Sequence, residues 1–290
     1  MGTCMRWSGV TVSLLCLAAT GCRLAGSTVW VQSVEEISLA DQITIDGAEK
    51  RSLESVDLSV LEVRTHNGRI SFTGQDVGKP GAISVTKKAR AYDQIEAEAA
   101  LAAIEVFVER QADGKCKVGW RWSKPKRRSW NAAVDFEITA SQALALDLKT
   151  HNGRIYVAGA ESDVVVVSHN GRLVLDCGGG KLYGETHNGR IEAVYAGGNL
   201  QLETHNGRIR ADMRQCKVPN GSLKTYNGAV ELILDNDASV QVTGRTHNGR
   251  VTCQVPLTAG GVSKRKLAGT MADGKGKLDV VTYNGSIRVW

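Results

Sequence analysis

Proline is scarce in this 290-residue chain, with 4 residues, and aromatic side chains make up only 5%. So little proline excludes a proline-rich stalk, and 42% apolar content with 23% charged residues excludes a disordered tail protein. No uncharged run reaches the ~20 residues that a membrane-spanning helix needs, which excludes a polytopic membrane protein. Asp and Glu are dispersed, with no adjacent Asp pair and no calcium-loop pattern, so the groove chemistry of polysaccharide lyases and hydrolases lacks its carboxylate cluster. No glycine-rich phosphate loop of the G-x-x-x-x-G-K form is present, and no cofactor is expected.

What is there begins with an uncharged run from Trp7 to Cys22 after Arg6. It is too short to span a bilayer and fits the apolar region of a signal peptide over residues 1–21. The run ends Leu17-Ala18-Ala19-Thr20-Gly21-Cys22, small residues before a Cys, which resembles a bacterial lipobox and makes Cys22 the candidate lipidation site. The alternative is ordinary cleavage near Ala19 or beyond, with Cys22 a free thiol and the protein secreted or periplasmic. Residues 23–35 read as a linker. The formal charge is +6; removing residues 1–21 takes away Arg6 and no carboxylate, leaving +5. A mildly basic exported protein suits an anionic envelope polymer or lipid headgroups, and export takes it away from nucleic acid. Four of the seven Cys lie beyond the leader and Cys22, at Cys116, Cys177, Cys216 and Cys253, too few and too scattered for a disulfide framework or a metal site.

Self-similarity decides the architecture. Thr-His-Asn-Gly-Arg-Ile occurs at Thr65, Thr150, Thr186 and Thr204, with close variants at Ser168, Thr225, Thr246 and Thr282. From Thr150 the spacings are 18, 18, 18, 21, 21 and 36 residues. The last is twice 18 and implies one degenerate coil near Lys264. Apolar residues alternate before each motif, as in Leu146 and Leu148 or Leu200 and Leu202, and again after it, as in Ile155 and Val157. Period-two alternation is strand, and Asn-Gly between two strands is a tight-turn signal because both residues tolerate positive φ.

An 18-residue strand pair cannot bury its apolar face alone, but stacked copies can. The expected fold is all-β: a β-solenoid-like stack of two-strand repeats over residues 141–290, in which eight rungs would rise on the order of 38 Å. A meander of true hairpins closed as a sandwich or barrel fits the Asn-Gly turns equally well. Residues 36–140 read as a separate N-terminal β region with one short helix at 93–104, its role being to cover the open end of the stack.

The repeated strand, Thr-x-Asn-Gly-x-Ile, strand units, together with the preceding helix and with Asp135-Phe136-Glu137-Ile138-Thr139, resemble the bacterial putative-adhesin family of domains of unknown function. The resemblance covers roughly residues 50–290. It implies an envelope-associated, β-rich, non-catalytic repeat domain and brings no catalytic residues with it. The chain departs from that family's pattern by placing His or Tyr after Thr and Arg after Gly.

Three constellations are candidates for binding. His151, His169, His187 and His205 would align as a ladder, and two neighbouring imidazoles would hold a metal ion weakly. Zinc takes three or four ligands, however, and Tyr226 and Tyr283 in the same slot point to ring stacking. Arg69, Arg154, Arg172, Arg190, Arg208 and Arg250 would form a row able to bind a polyanion, or simply a solvated corner. In-register neighbours would repel by roughly 0.9 kcal/mol per pair in a water-like dielectric, with Glu185, Glu192, Glu203 and Glu231 placed to offset this. Trp120, Trp122, Lys124, Lys126, Arg127, Arg128 and Trp130 make a candidate interface loop, with burial of the Trp pair and exposure of the cations as the competing reading. No imidazole is unique, as Ser-His-Asp or Cys-His catalysis requires, so no enzyme is expected. Competing functions are a metal-binding surface protein and an enzyme acting on envelope glycans; self-association is left open.

Overall fold

Each Asn-Gly step carries the chain out of one sheet and into another, which decides between the two architectures. The structure, a computed structural model, describes residues 42–53 and 57–290. The expected leader, Cys22 and the linker lie outside the described residues. The described residues form one compact unit.

The N-terminal part runs β1 (Ile43–Leu53), β2 (Val60–Asn67), β3 (Ile70–Gln75), β4 (Gly81–Ala91), α1 (Gln94–Ala102), β5 (Ile104–Arg110), β6 (Lys115–Trp122) and β7 (Asn131–Ser141). Strand pairs follow: β8 (Ala145–Asn152) with β9 (Ile155–Ala160), β10 (Val164–Asn170) with β11 (Leu173–Cys177), β12 (Lys181–Asn188) with β13 (Ile191–Tyr195), and β14 (Asn199–Asn206) with β15 (Ile209–Asp212). Next come β16 (Asn220–Asn227) with β17 (Val230–Ile233) and β18 (Val240–Asn248) with β19 (Val251–Cys253). A hairpin of β20 (Ala259–Val262) and β21 (Lys266–Met271) precedes the last pair, β22 (Gly276–Asn284) with β23 (Ile287–Val289).

Strands before the Asn-Gly steps lie in a 12-stranded sheet ordered β20-β21-β18-β22-β16-β14-β12-β10-β8-β2-β6-β5. Strands after them lie in an 11-stranded sheet ordered β1-β4-β7-β3-β9-β11-β13-β15-β17-β23-β19. The two strands of a unit never pair with each other, so the units are solenoid coils and the hairpin meander is excluded. Neighbouring coils pair parallel and in register, setting Leu148 beside Val166 and Ile155 beside Leu173. These inward rows are fully buried, and each buried Leu or Ile contributes about 1.5–3 kcal/mol.

Spatial order departs from chain order at both ends. No degenerate coil lies near Lys264: that stretch is the β20–β21 hairpin, antiparallel to β18. The chain then turns back through Ala272 (φ 47°) and Gly274 (φ 64°), and β22–β23 inserts between β16–β17 and β18–β19. At the other end β6 and β7 pair with β2 and β3, placing the first motif coil between residues 115–141 and the coil β8–β9. The boundary drawn at residue 140 therefore falls within β7, a strand shared with the stack.

The motif glycines serve a purpose other than the expected one. Gly68 alone among them has a left-handed φ, 144°. In the other seven copies a Cβ would come within 1.7–1.9 Å of the carbonyl oxygen of the motif glycine one rung away, as Gly189 would with Gly171. Glycine is required because successive corners are packed backbone on backbone.

Helix α1 starts at its N-cap Asp93, whose carboxylate accepts from the Glu96 N–H at 2.7 Å. Two of its residues, Ala97 and Ala100, are buried, and it packs on β1 and β4 of one sheet and β5 of the other. It closes the end of the core between the sheets.

Candidate functional site

Parallel in-register pairing turns each motif position into a row. The rings of His66, His151, His169, His187, His205, Tyr226, Tyr283 and His247 form one continuous column on the outer face of the 12-stranded sheet. Neighbouring centroids are 4.6–5.0 Å apart and planes lie within 1–12° of parallel. An imidazole nitrogen donates to a metal in its ring plane, so stacked parallel rings aim their lone pairs side by side and do not converge on one ion. Among the described residues, no group of three or more His, Cys, Asp or Glu is placed to hold a metal.

Beside the rings runs a second row, formed by the Asn of each Asn-Gly step. Asn188 donates its side-chain amide to Asn170 at 2.8 Å and accepts from Asn206 at 2.8 Å, and the relay extends from Asn67 to Asn248. Each amide in such a chain polarises the next. A third row is buried: the hydroxyl of Thr186, 1% exposed, donates to the Gly171 carbonyl at 3.1 Å. Thr150, Ser168, Thr204, Thr225, Thr282 and Thr246 repeat that bond. The signal was present in the sequence, since the position holds a hydroxyl in all eight copies.

The Arg row lies on the other side of the corner from the rings, leaning over the outer face of the 11-stranded sheet. Arg172 and Arg190 pair with Glu192, the latter at 3.6 Å. Glu231, only 8% exposed, gathers Arg208, Arg210 and Arg288 at 3.2–3.8 Å. Arg154 and Arg250 form no ion pair among the described residues, and Asp135 accepts from the backbone N–H of Arg69 at 2.7 Å. Ala229 and Ser286 interrupt the row between Arg208 and Arg250. Glu185 and Glu203 do not reach it: both lie in the 12-stranded sheet, and Glu185 accepts from the Tyr183 hydroxyl at 2.5 Å, which pushes that phenol up to about 12.

In the candidate interface loop the rings pack inward. Trp130 is buried, and Trp122 lies 5.5 Å from both Trp120 and Trp130. Trp120 donates its indole N–H to the Thr65 hydroxyl at 3.2 Å. Arg127 lies over the Trp130 ring and pairs with Glu96 at 3.3 Å, while Lys124, Lys126 and Arg128 are exposed and form no ion pair among the described residues. The four described Cys are free, and burial pushes the Cys177 thiol up to about 12.

The family model described as Toastrack DUF4097 matches residues 42–290. The chain belongs to the Toastrack DUF4097 family. The match spans both the coils and the N-terminal strands, so the Toastrack unit includes the residues that flank the first coil. No curated protein matches the chain. Among solved structures it is similar to a putative adhesin from Bacteroides fragilis, 11% identical, with 84% of this chain and 97% of that one covered and a TM-score of 0.41. It is also similar to a putative cell adhesion protein from Clostridium sporogenes, 10% identical, covering 84% and 99% with a TM-score of 0.35. A putative lipid binding protein from Parabacteroides distasonis is 9% identical, covering 84% and 96% with a TM-score of 0.30. Likeness at this level says nothing about what this Toastrack chain binds. No helix among its described residues is long and apolar enough to cross a membrane.

Proposed function

We propose that this Toastrack protein is an exported, non-catalytic component of the bacterial cell envelope, held to the membrane by lipid on Cys22 and binding an anionic envelope glycan along its repeated surface. In this reading residues 1–21 are the leader and 23–35 the tether. The in-register alignment of eight motif copies carries the proposal, because it turns single side chains into rows matched to a repeating ligand. The absence of catalysis is supported by the placement of every imidazole in one column and by the buried, protonated thiol of Cys177, since a nucleophile needs the opposite environment.

The test is capture of glycan from envelope fractions by the full-length protein and by a variant with Arg154, Arg172, Arg190 and Arg208 changed to Ala. Salt-sensitive capture of acidic glycan by the unchanged protein is the expected result. Capture of anionic lipid vesicles without glycan would replace the glycan by a headgroup ligand, and turnover of any envelope polymer would refute the non-catalytic reading. Labelling with a radioactive fatty acid, lost on Cys22→Ala, checks the anchor.

A further inference from the structure

The outer face of the 12-stranded sheet carries a groove of about 670 Å³. One wall is the ring column from His187 to His247; the other is the row one residue before each Thr, and Arg265 and Lys266 of the hairpin close one end. The groove crosses six neighbouring strands from β12 to β21, about 24 Å at the spacing of paired strands.

Charge is unevenly distributed along this row. Where it starts, Arg64 is held by Glu62 and Asp147, and Lys149 by Asp147. At the hairpin end Lys224, Arg245, Arg265 and Lys266 line the groove and form no ion pair among the described residues. Arg245 and Lys266 are direct cross-strand neighbours, which gathers like charge at the hairpin end, while Glu203, in register beside Lys224, and Glu185 line the opposite end of the groove.

The walls restrict what would lie there. Ring faces along this wall are covered by their neighbours, only the outer face of His247 having no ring partner among the described residues, while the phenol and imidazole edges offer donors and acceptors at every rung. Val281 is the single aliphatic side chain in the lining, so an acyl chain finds no apolar slot.

The geometry points to this groove as a binding site for an acidic polysaccharide, its hydroxyls along the ring edges and its carboxylate or phosphate groups at Lys224, Arg245, Arg265 and Lys266. The inference rests on the glycan reading above and moves the site from the corner arginines to the sheet face.

Full-length protein in detergent, titrated with polygalacturonate at low and high salt, tests it, with neutral dextran and anionic phospholipid vesicles as the other probes. Changing Lys224, Arg245, Arg265 and Lys266 to Gln is expected to weaken polygalacturonate binding at least ~10-fold, while the four-Arg corner variant stays within ~3-fold. Tyr283→Phe keeps the ring and removes one hydroxyl; a ~3-fold loss in this variant separates a lost contact from a lost fold. Weakening in the corner variant alone would overturn the groove and leave the glycan reading intact. Equal binding of dextran, binding of vesicles alone, or no binding by any form would overturn both.

Discussion

Asn248 donates its side-chain amide to Asn284 at 2.9 Å, although Asn284 lies 36 residues further along the chain. Asn284 in turn donates to Asn227 at 2.8 Å. The last coil in sequence is therefore an interior coil in space, paired on both edges. In a solenoid with exposed ends the terminal repeat frays first. Here the amides of Val280 and Ile287 are expected to exchange as slowly as those of Val166 and Leu173 in mid-stack, and much more slowly than Gly261 in the edge strand β20. Fast exchange over 276–289 would refute the insertion.

Gly189→Ala is expected to destabilise the protein by ~3 kcal/mol or more, because the added methyl meets the Gly171 carbonyl and neither backbone has room to move. Gly261→Ala, where nothing lies within 4 Å, serves as the control and should change stability by no more than ~0.5 kcal/mol. Denaturant midpoints of the two variants make the comparison.

The buried hydroxyl row has its own signature. Thr186→Val keeps the shape but leaves the Gly171 carbonyl without its side-chain donor, for an expected loss of about 1–2 kcal/mol, whereas Thr186→Ser retains the bond. Equal stability of the Val and Ser variants would show the row to be packing alone.

Alkali should unfold the protein through two buried acids. Burial pushes both the Tyr195 phenol and the Cys177 thiol up to about 12, from 10.0 and 9.0. Both folded-state values are raised, so the unfolded chain releases these protons first and stability falls as pH rises from about 9 to about 12. Melting temperatures measured across that range check the slope. Tyr195→Phe removes the hydroxyl that donates to the Gly180 carbonyl at 2.6 Å, so it should cost about 1 kcal/mol at neutral pH and flatten the alkaline slope.

The coil itself was legible because period-two alternation around a constant hexapeptide permits few structures, and the ring column followed from His and Tyr sharing one slot. Coil order was not legible. The Thr282 hydroxyl, Asn284 and Gly285 are the pairing groups of every other copy; Tyr in the ring slot and the missing Arg after Gly are shared with the Thr225 copy alone, but side chains outside the ladder do not dictate which coils pair. The role of Gly189 was hidden for a related reason: Asn-Gly is also a turn dipeptide, and only the distance between rungs shows that the methyl group is what must be missing. The groove depends on Arg265 and Lys266 being folded back against β18, a long-range placement that depends on the unexpected hairpin.

Interior placement of the last coil has a mechanical consequence. Strand β23 is bonded to β17 on one edge and β19 on the other, so tension applied at Trp290 must shear two ladders together and cannot unzip one strand at a time. A fold built of repeated units thereby gains resistance to being unravelled by a pull on this coil.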